Sequence, residues 1–160
     1  MVRPVYRTRQ VWLALRPRIE HDDLLVAMEL LAPAQAALFR AMERRDQRHA
    51  LEVMRRLSDE GVRDRDLLVA ALLHDCGKGA VPIWLRIVKV LSPGTLANVA
   101  RPTGSSWRTA AYRLLHHAEL GAVQAEAAGV SALTASLIRG HVEPAHQPQL
   151  ALLMAADDAS

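Results

Sequence analysis

The sequence predicts an all-α fold, a helical bundle of about six or seven helices, on three observations. Apolar residues recur three and four positions apart along most of the 160 residues, the spacing of one helix face. Nothing alternates with period two for long enough to make a strand. Leu and Ala dominate while aromatics are only 4%, a mix that favours helices packed through aliphatic ridges over a β-sandwich.

Each element follows in order. Residues 22–31 are apolar at helical spacing, and Pro33 suits the first turn of a second helix, where its missing N–H is not needed. That helix carries Leu38, Phe39 and Met42. Asp46 is placed to cap a third, which presents Leu51, Val53, Met54 and Leu57 and stops at Gly61. After a charged turn at 63–66, residues 67–73 form a short, almost wholly apolar helix, which implies burial on most sides. It ends in the polar, glycine-rich run His74-Asp75-Cys76-Gly77-Lys78-Gly79. Residues 83–91 read as a helix, with Trp84 and Trp107 as packing anchors. Residues 92–106 hold two prolines and two glycines and read as broken helix and loop. A helix over 107–128 is expected to kink near Gly121. Ser131 caps a helix running to Gly140, 144–148 is a turn, and 149–156 is a last short helix.

The length suggests one domain, 21–160, preceded by a basic segment, 1–20, in which Arg3, Arg7, Arg9, Arg16 and Arg18 all precede the first acid, Glu20. Net charge is +3 and the sequence pI is near 9.6. Such a basic arm is most simply a solvated face, though it can also touch phosphates or an anionic membrane. The single cysteine, Cys76, rules out an internal disulfide and fits a reducing compartment. No apolar run approaches the ~20 residues of a membrane span, and the N-terminus has no long apolar stretch of the kind a secretory signal needs. A cytoplasmic protein is therefore expected. Trp12, Trp84 and Trp107 are scattered and not grouped with basic residues, so nothing marks a nucleic-acid interface.

Potential metal ligands fall at or near helix ends: His49, His74-Asp75, His116-His117, His141 and Asp157-Asp158. Each stands beside a run of Leu, Ala and Val. A charged group next to a packed face is costly unless it is paired or bound to a metal. Imidazole and carboxylate together suit zinc, iron, manganese or similar divalent ions. Adjacent His74 and Asp75 can converge on one ion only if the helix ends there and the backbone turns, a freedom that Gly77 and Gly79 supply.

These blocks resemble the HD superfamily of metal-dependent phosphohydrolases. The matching residues are Gln47-Arg48-His49-Ala50-Leu51, then Ala71-Leu72-Leu73-His74-Asp75-Cys76-Gly77-Lys78, and finally Met154-Ala155-Ala156-Asp157. The middle block, an apolar helix followed by His-Asp, a small residue, Gly and Lys, is the specific one. His117-Ala118-Glu119-Leu120-Gly121-Ala122 and Ile138-Arg139-Gly140-His141-Val142-Glu143 are similar to the segments of the two-metal variants. The resemblance runs from about Asp46 to Asp158 and implies a compact HD-domain bundle. It further implies that His49, His74, Asp75 and Asp157 hold a first divalent ion. Asp75 would bridge to a second held by His117 and His141, and Lys78 would sit at the substrate phosphate. One or two ions (Fe, Mn, Zn or Mg) and a small phosphorylated substrate, a nucleotide, are the cofactors and partner it implies. Asp75 and Lys78 are the catalytic candidates. Residues 93–106 contain none of the extended motifs of the cyclic-dinucleotide enzymes. A di-iron oxygenase on the same scaffold and a non-catalytic metal-binding signalling module are the alternatives, and the complete ligand set argues against the latter.

Several residues have plainer readings. On a helix His116 and His117 point about 100° apart, so one of them is the ligand, and Glu119 and Gly121 favour His117. His21 and His146 read as solvent histidines and Asp158 as an exposed neighbour of Asp157. Cys76 reads as a small packing residue behind the His-Asp turn.

Overall fold

The computed structural model describes residues 21–104 and 106–160. The basic segment 1–20 and Trp12 lie outside the described residues. Among these residues there are nine α-helices and no strand, in keeping with the all-α prediction. They are α1 (His21–Leu30), α2 (Pro33–Ala41), α3 (Arg44–Asp59), α4 (Arg65–Leu73), α5 (Ile83–Leu91), α6 (Pro93–Val99), α7 (Trp107–Ala127), α8 (Ala132–Arg139) and α9 (Gln147–Asp158). Short 3-10 turns at Cys76–Lys78 and Pro144–His146 complete the chain. No single helix among the described residues is long and apolar enough to cross a membrane.

The centre of the molecule is α4. All of its residues from Leu67 to Leu73 are buried, as their unbroken apolarity predicts. Packed around it are α1, α2, α3, α8 and α9. Its start is held by Asp64, which accepts from the backbone N–H of Asp66 and Leu67 and from Gln149 Nε2 of α9. Ser131 caps α8 by accepting from Thr134 N–H, and both hydroxyls donate to Asp66, which ties α8 to the same end of α4.

Among the described residues there are two apolar cores. The larger combines α1–α4, α8, α9 and the second half of α7, through Ala122 and Ala125. The smaller is built from Val81, Leu85, Leu96, Ala110, Ala111 and Leu114, contributed by the α5 region, α6 and the first half of α7. Helix α7 passes from one core to the other, and its backbone leaves helical geometry at His116 (φ −112°, ψ 17°).

Three expectations need correction. Asp46 is not the cap of α3: Glu43 precedes the helix, and Asp46 is buried in its first turn, where its carboxylate takes both terminal nitrogens of Arg86 at 3.0 and 2.8 Å. The kink in α7 falls at His116 and not near Gly121, because it is needed where the helix changes core. The expected broken helix and loop over 92–106 is a short helix at 93–99, with Pro93 in its first turn, followed by bends through Gly104. Trp84 and Trp107 are not core anchors. They pack against each other with ring centroids 5.7 Å apart, and remain 45% and 42% exposed.

Candidate metal centre

The site lies where the buried helix α4 ends. His74 still has helical backbone angles, whereas Asp75 (φ −101°, ψ 1°) begins the tighter 3-10 turn. Leaving α geometry at this point lets two consecutive side chains face one side, with His74 Nε2 3.5 Å from Asp75 Oδ1. The turn is pressed against α7. A Cβ on Gly77 would stand 2.2 Å from the carbonyl oxygen of His117 and 2.4 Å from the amide nitrogen of Gly121, so no side chain fits. Gly77 thus supplies space and not backbone freedom. Gly79, at φ +57°, does supply the freedom expected of it. Cys76 is buried with its Sγ on the Gly121 carbonyl. Burial, and then the Asp75 charge, push its thiol up to about 12, as befits a packing residue.

Three elements deliver the other groups. From α3, His49 Nε2 lies 2.6 Å from Asp157 Oδ1 on α9. His74 Nε2 lies 3.4 Å from the same oxygen, and the two imidazoles meet edge to face at 5.3 Å. The ligand-capable atoms of His49, His74 and Asp157 all fall within 4.8 Å of one another, the spacing of a shared ion. From α7, His117 Nε2 is 3.8 Å from Asp75 Oδ1. Lys78 Nζ donates to the other oxygen, Asp75 Oδ2.

The ring orientations suit metal binding. His74 Nδ1 donates to the Ala71 carbonyl at 2.8 Å and His117 Nδ1 to the Leu114 carbonyl at 3.0 Å. Each bond fixes the tautomer that leaves Nε2 as a lone pair facing the acids. Two buried polar atoms have no hydrogen-bond partner among the described residues, His74 Nε2 and Asp75 Oδ1. Such orphans cost about 1–3 kcal/mol each when nothing compensates, and these two face each other. A divalent cation satisfies both, so the residues present fit the ion.

The electrostatics agree. Burial pushes the Asp75 carboxyl up, but His74 and Lys78 outweigh it and hold the group below its ordinary range. His49, then His74, hold Asp157 far lower. Burial opposes protonation of His74, yet the Asp157 and Asp75 carboxylates raise its affinity for a proton. The point between them attracts positive charge. His117 is pushed down to about 4, first by burial and then by the Lys78 ammonium, which keeps it in the neutral form a metal requires.

Of the residues singled out from the sequence, His49, His74, Asp75, His117, Asp157 and Lys78 come together. His116 turns outward onto the Tyr112 ring at 4.3 Å and is exposed. His141 is exposed in the turn after α8 and makes none of the side-chain contacts to Asp75 or Asp157 found among the described residues. Two cations were missed. Arg86 and Lys89 are the only polar side chains of α5, three positions apart and so on one face. That isolation in an apolar helix was the available signal. Lys89 Nζ donates at 3.5 Å to the Leu114 carbonyl that also receives His117 Nδ1. Burial and the nearby Lys78 charge lower its proton affinity. A separate cavity of about 450 Å³, lined by Glu43, Arg45, Ala80, Val81, Pro82, Ile83 and Arg86, contains none of the ligand candidates.

No curated protein and no solved structure matches the chain. The family model of the HD domain matches residues 47–159, a span that begins just before His49, ends just after Asp157 and takes in every residue of the cluster. The chain belongs to the HD domain family, whose superfamily is that of the metal-dependent phosphohydrolases.

Proposed function

We propose that the protein is a phosphohydrolase that cleaves a phosphoester or phosphoanhydride of a nucleotide or related small molecule. His49, His74, Asp75 and Asp157 would hold one divalent ion (Fe, Mn, Zn or Mg). Asp75 and His117 would serve a second, to which His141 would come only by moving inward. The observation that carries this reading is the facing pair of buried, unpartnered atoms, His74 Nε2 and Asp75 Oδ1. A divalent ion held there supplies an acidified water and polarises a phosphoryl oxygen.

The chain's own residues do the rest. The bonds from His74 and His117 to the carbonyls of Ala71 and Leu114 hold both rings in the ligating tautomer. Lys78, on Asp75, and Lys89, above His117, line the approach with positive charge. An incoming phosphate thus meets two ammonium groups as well as the site itself. Such preorganised charge stabilises the anionic transition state more than water does.

The test is elemental analysis of the purified protein, followed by a phosphate-release screen over mononucleotides and dinucleotides with Mn²⁺, Fe²⁺, Zn²⁺ and Mg²⁺. Metal bound in a ratio of one or two per chain, with metal-dependent release, is the expected result. Release that persists after chelation would place the chemistry elsewhere. Iron-dependent oxygen uptake without phosphate release would replace hydrolysis by oxygenation.

A further inference from the structure

Helix α5 turns Lys89 toward the metal centre and Leu85 toward the smaller core, and its third side is left largely exposed among the described residues. Ile83, Trp84, Ile87, Val90 and Leu91 are 56%, 45%, 52%, 80% and 78% exposed. At ~100° per residue these five fall within about one third of the helix circumference. They form one continuous apolar stripe, which Trp107 extends through its contact with Trp84. A stripe of this kind on a folded protein marks an interaction surface.

The charge around the stripe says what kind. From Cys76 to Ala118 the chain has no Asp or Glu, but it has Lys78, Arg86, Lys89, Arg101, Arg108 and Arg113. This run makes up the smaller core and most of what borders the stripe, with Glu43 and Arg45 beside its Ile83 end. Asp75 answers Lys78, and Glu43 and Asp46 answer Arg86. Arg101, Arg108 and Arg113 have no carboxylate within 4.0 Å among the described residues. Arg108 lies 5.5 Å over the Trp107 ring, and Arg101 N–H donates to the Arg108 carbonyl. One exposed arginine therefore stands on the tryptophan pair, and a second is tied to it through the backbone.

We propose that this face docks on an anionic phospholipid surface. Ile87, Val90 and Leu91 enter the acyl boundary, Trp84 and Trp107 sit at headgroup level, and Arg101 and Arg108 meet lipid phosphates. Apolar residues inserted from a helix lying in the interface plane, with cations at their margin, bind in proportion to buried area and to negative lipid charge. A second copy of the chain is disfavoured, because a two-fold contact sets this cationic face against itself. A nucleic acid would leave the aliphatic centre of the stripe unused.

The test is sedimentation of the full chain with phosphatidylglycerol or phosphatidylcholine vesicles at low and high salt. Binding to the first and not the second, weakened by salt, is expected. Val90→Glu with Leu91→Glu, at two of the most exposed positions, should lower binding at least about tenfold while circular dichroism and melting stay unchanged. Arg101→Glu with Arg108→Glu should do the same through charge alone. Undiminished binding of the Val90→Glu, Leu91→Glu variant would assign attachment to charge elsewhere, such as the N-terminal arginines, and would overturn the proposal. So would absence of binding by the natural chain. A dimer that this variant dissolves, or a loss of its stability, would show that the face is covered by a second copy or by the chain itself.

Discussion

Asp75 offers one carboxylate oxygen to Lys78 and leaves the other facing the imidazoles of His74 and His117. It is the one acid that borders both proposed ion positions. Asp75→Ala should therefore empty the site and abolish phosphate release, as read by metal content and turnover on the same sample. Lys78→Ala removes a single electrostatic contact with substrate, so the ions should stay and the rate should fall about 10²–10³-fold. Lys89→Ala should act in the same direction but mostly on KM, by about 10–100-fold, the worth of one hydrogen bond to a charged group. Equal inactivation by Asp75→Ala and Lys78→Ala with full metal would give Lys78 a direct part in bond cleavage. Asp75 and Lys78 were legible because their block is contiguous and specific. Lys89 was not, because the interaction that places it, on the carbonyl of Leu114, spans 25 residues.

Elements are held together here by two devices that local sequence does not announce. One is the contact of the Cys76–Lys78 turn with α7, where Gly77 leaves no room for a methyl group. Gly77→Ala should force the two backbones apart and destabilise by about 1–3 kcal/mol or more, the range for overpacking, and should lower metal affinity because the His117 carbonyl moves. Gly121→Ala, whose Cβ would meet Gly77 N at 3.2 Å and Cys76 Sγ at 3.3 Å, should cost less in the same denaturant titration. Equal midpoints for the two variants would deny the close approach its importance. The other device is the two-pronged pairing of Arg86 with Asp46. Arg86→Ala leaves a buried carboxylate without a partner and should cost about 3 kcal/mol. Adding Asp46→Ala to it should recover part of that loss. Periodicity predicted helices α3 and α5 themselves. It could not pair an acid with an arginine 40 residues on, nor tell which apolar stripe has something packed over it. That is why Asp46 looked like a cap and Trp84 like an anchor. His141 shows the reverse limit: its place in the order of motifs matches, yet it lies on an exposed turn outside the cluster.

Over the whole molecule the proposed ligand set stitches distant parts of the chain together, with His49 on α3, His74 at the end of α4 and Asp157 on α9. An ion bound only by the folded state at about 100 times its dissociation constant adds roughly 2.7 kcal/mol. Chelation should therefore lower Tm by roughly 5–10 °C, and added metal should restore it. A melting curve indifferent to chelator would mean that no ion spans these helices. The same stitching has a consequence in time. His49 and Asp157 are 108 residues apart, so at about 5–20 residues per second a ribosome needs roughly 5–20 s to supply the second after the first. Through that interval the nascent helices α3 and α4 present their imidazoles and Asp75 with the last carboxylate still unmade. Stable loading must then be post-translational with respect to α9. A stalled chain released before α9 should carry no metal through a desalting column, whereas the full chain should.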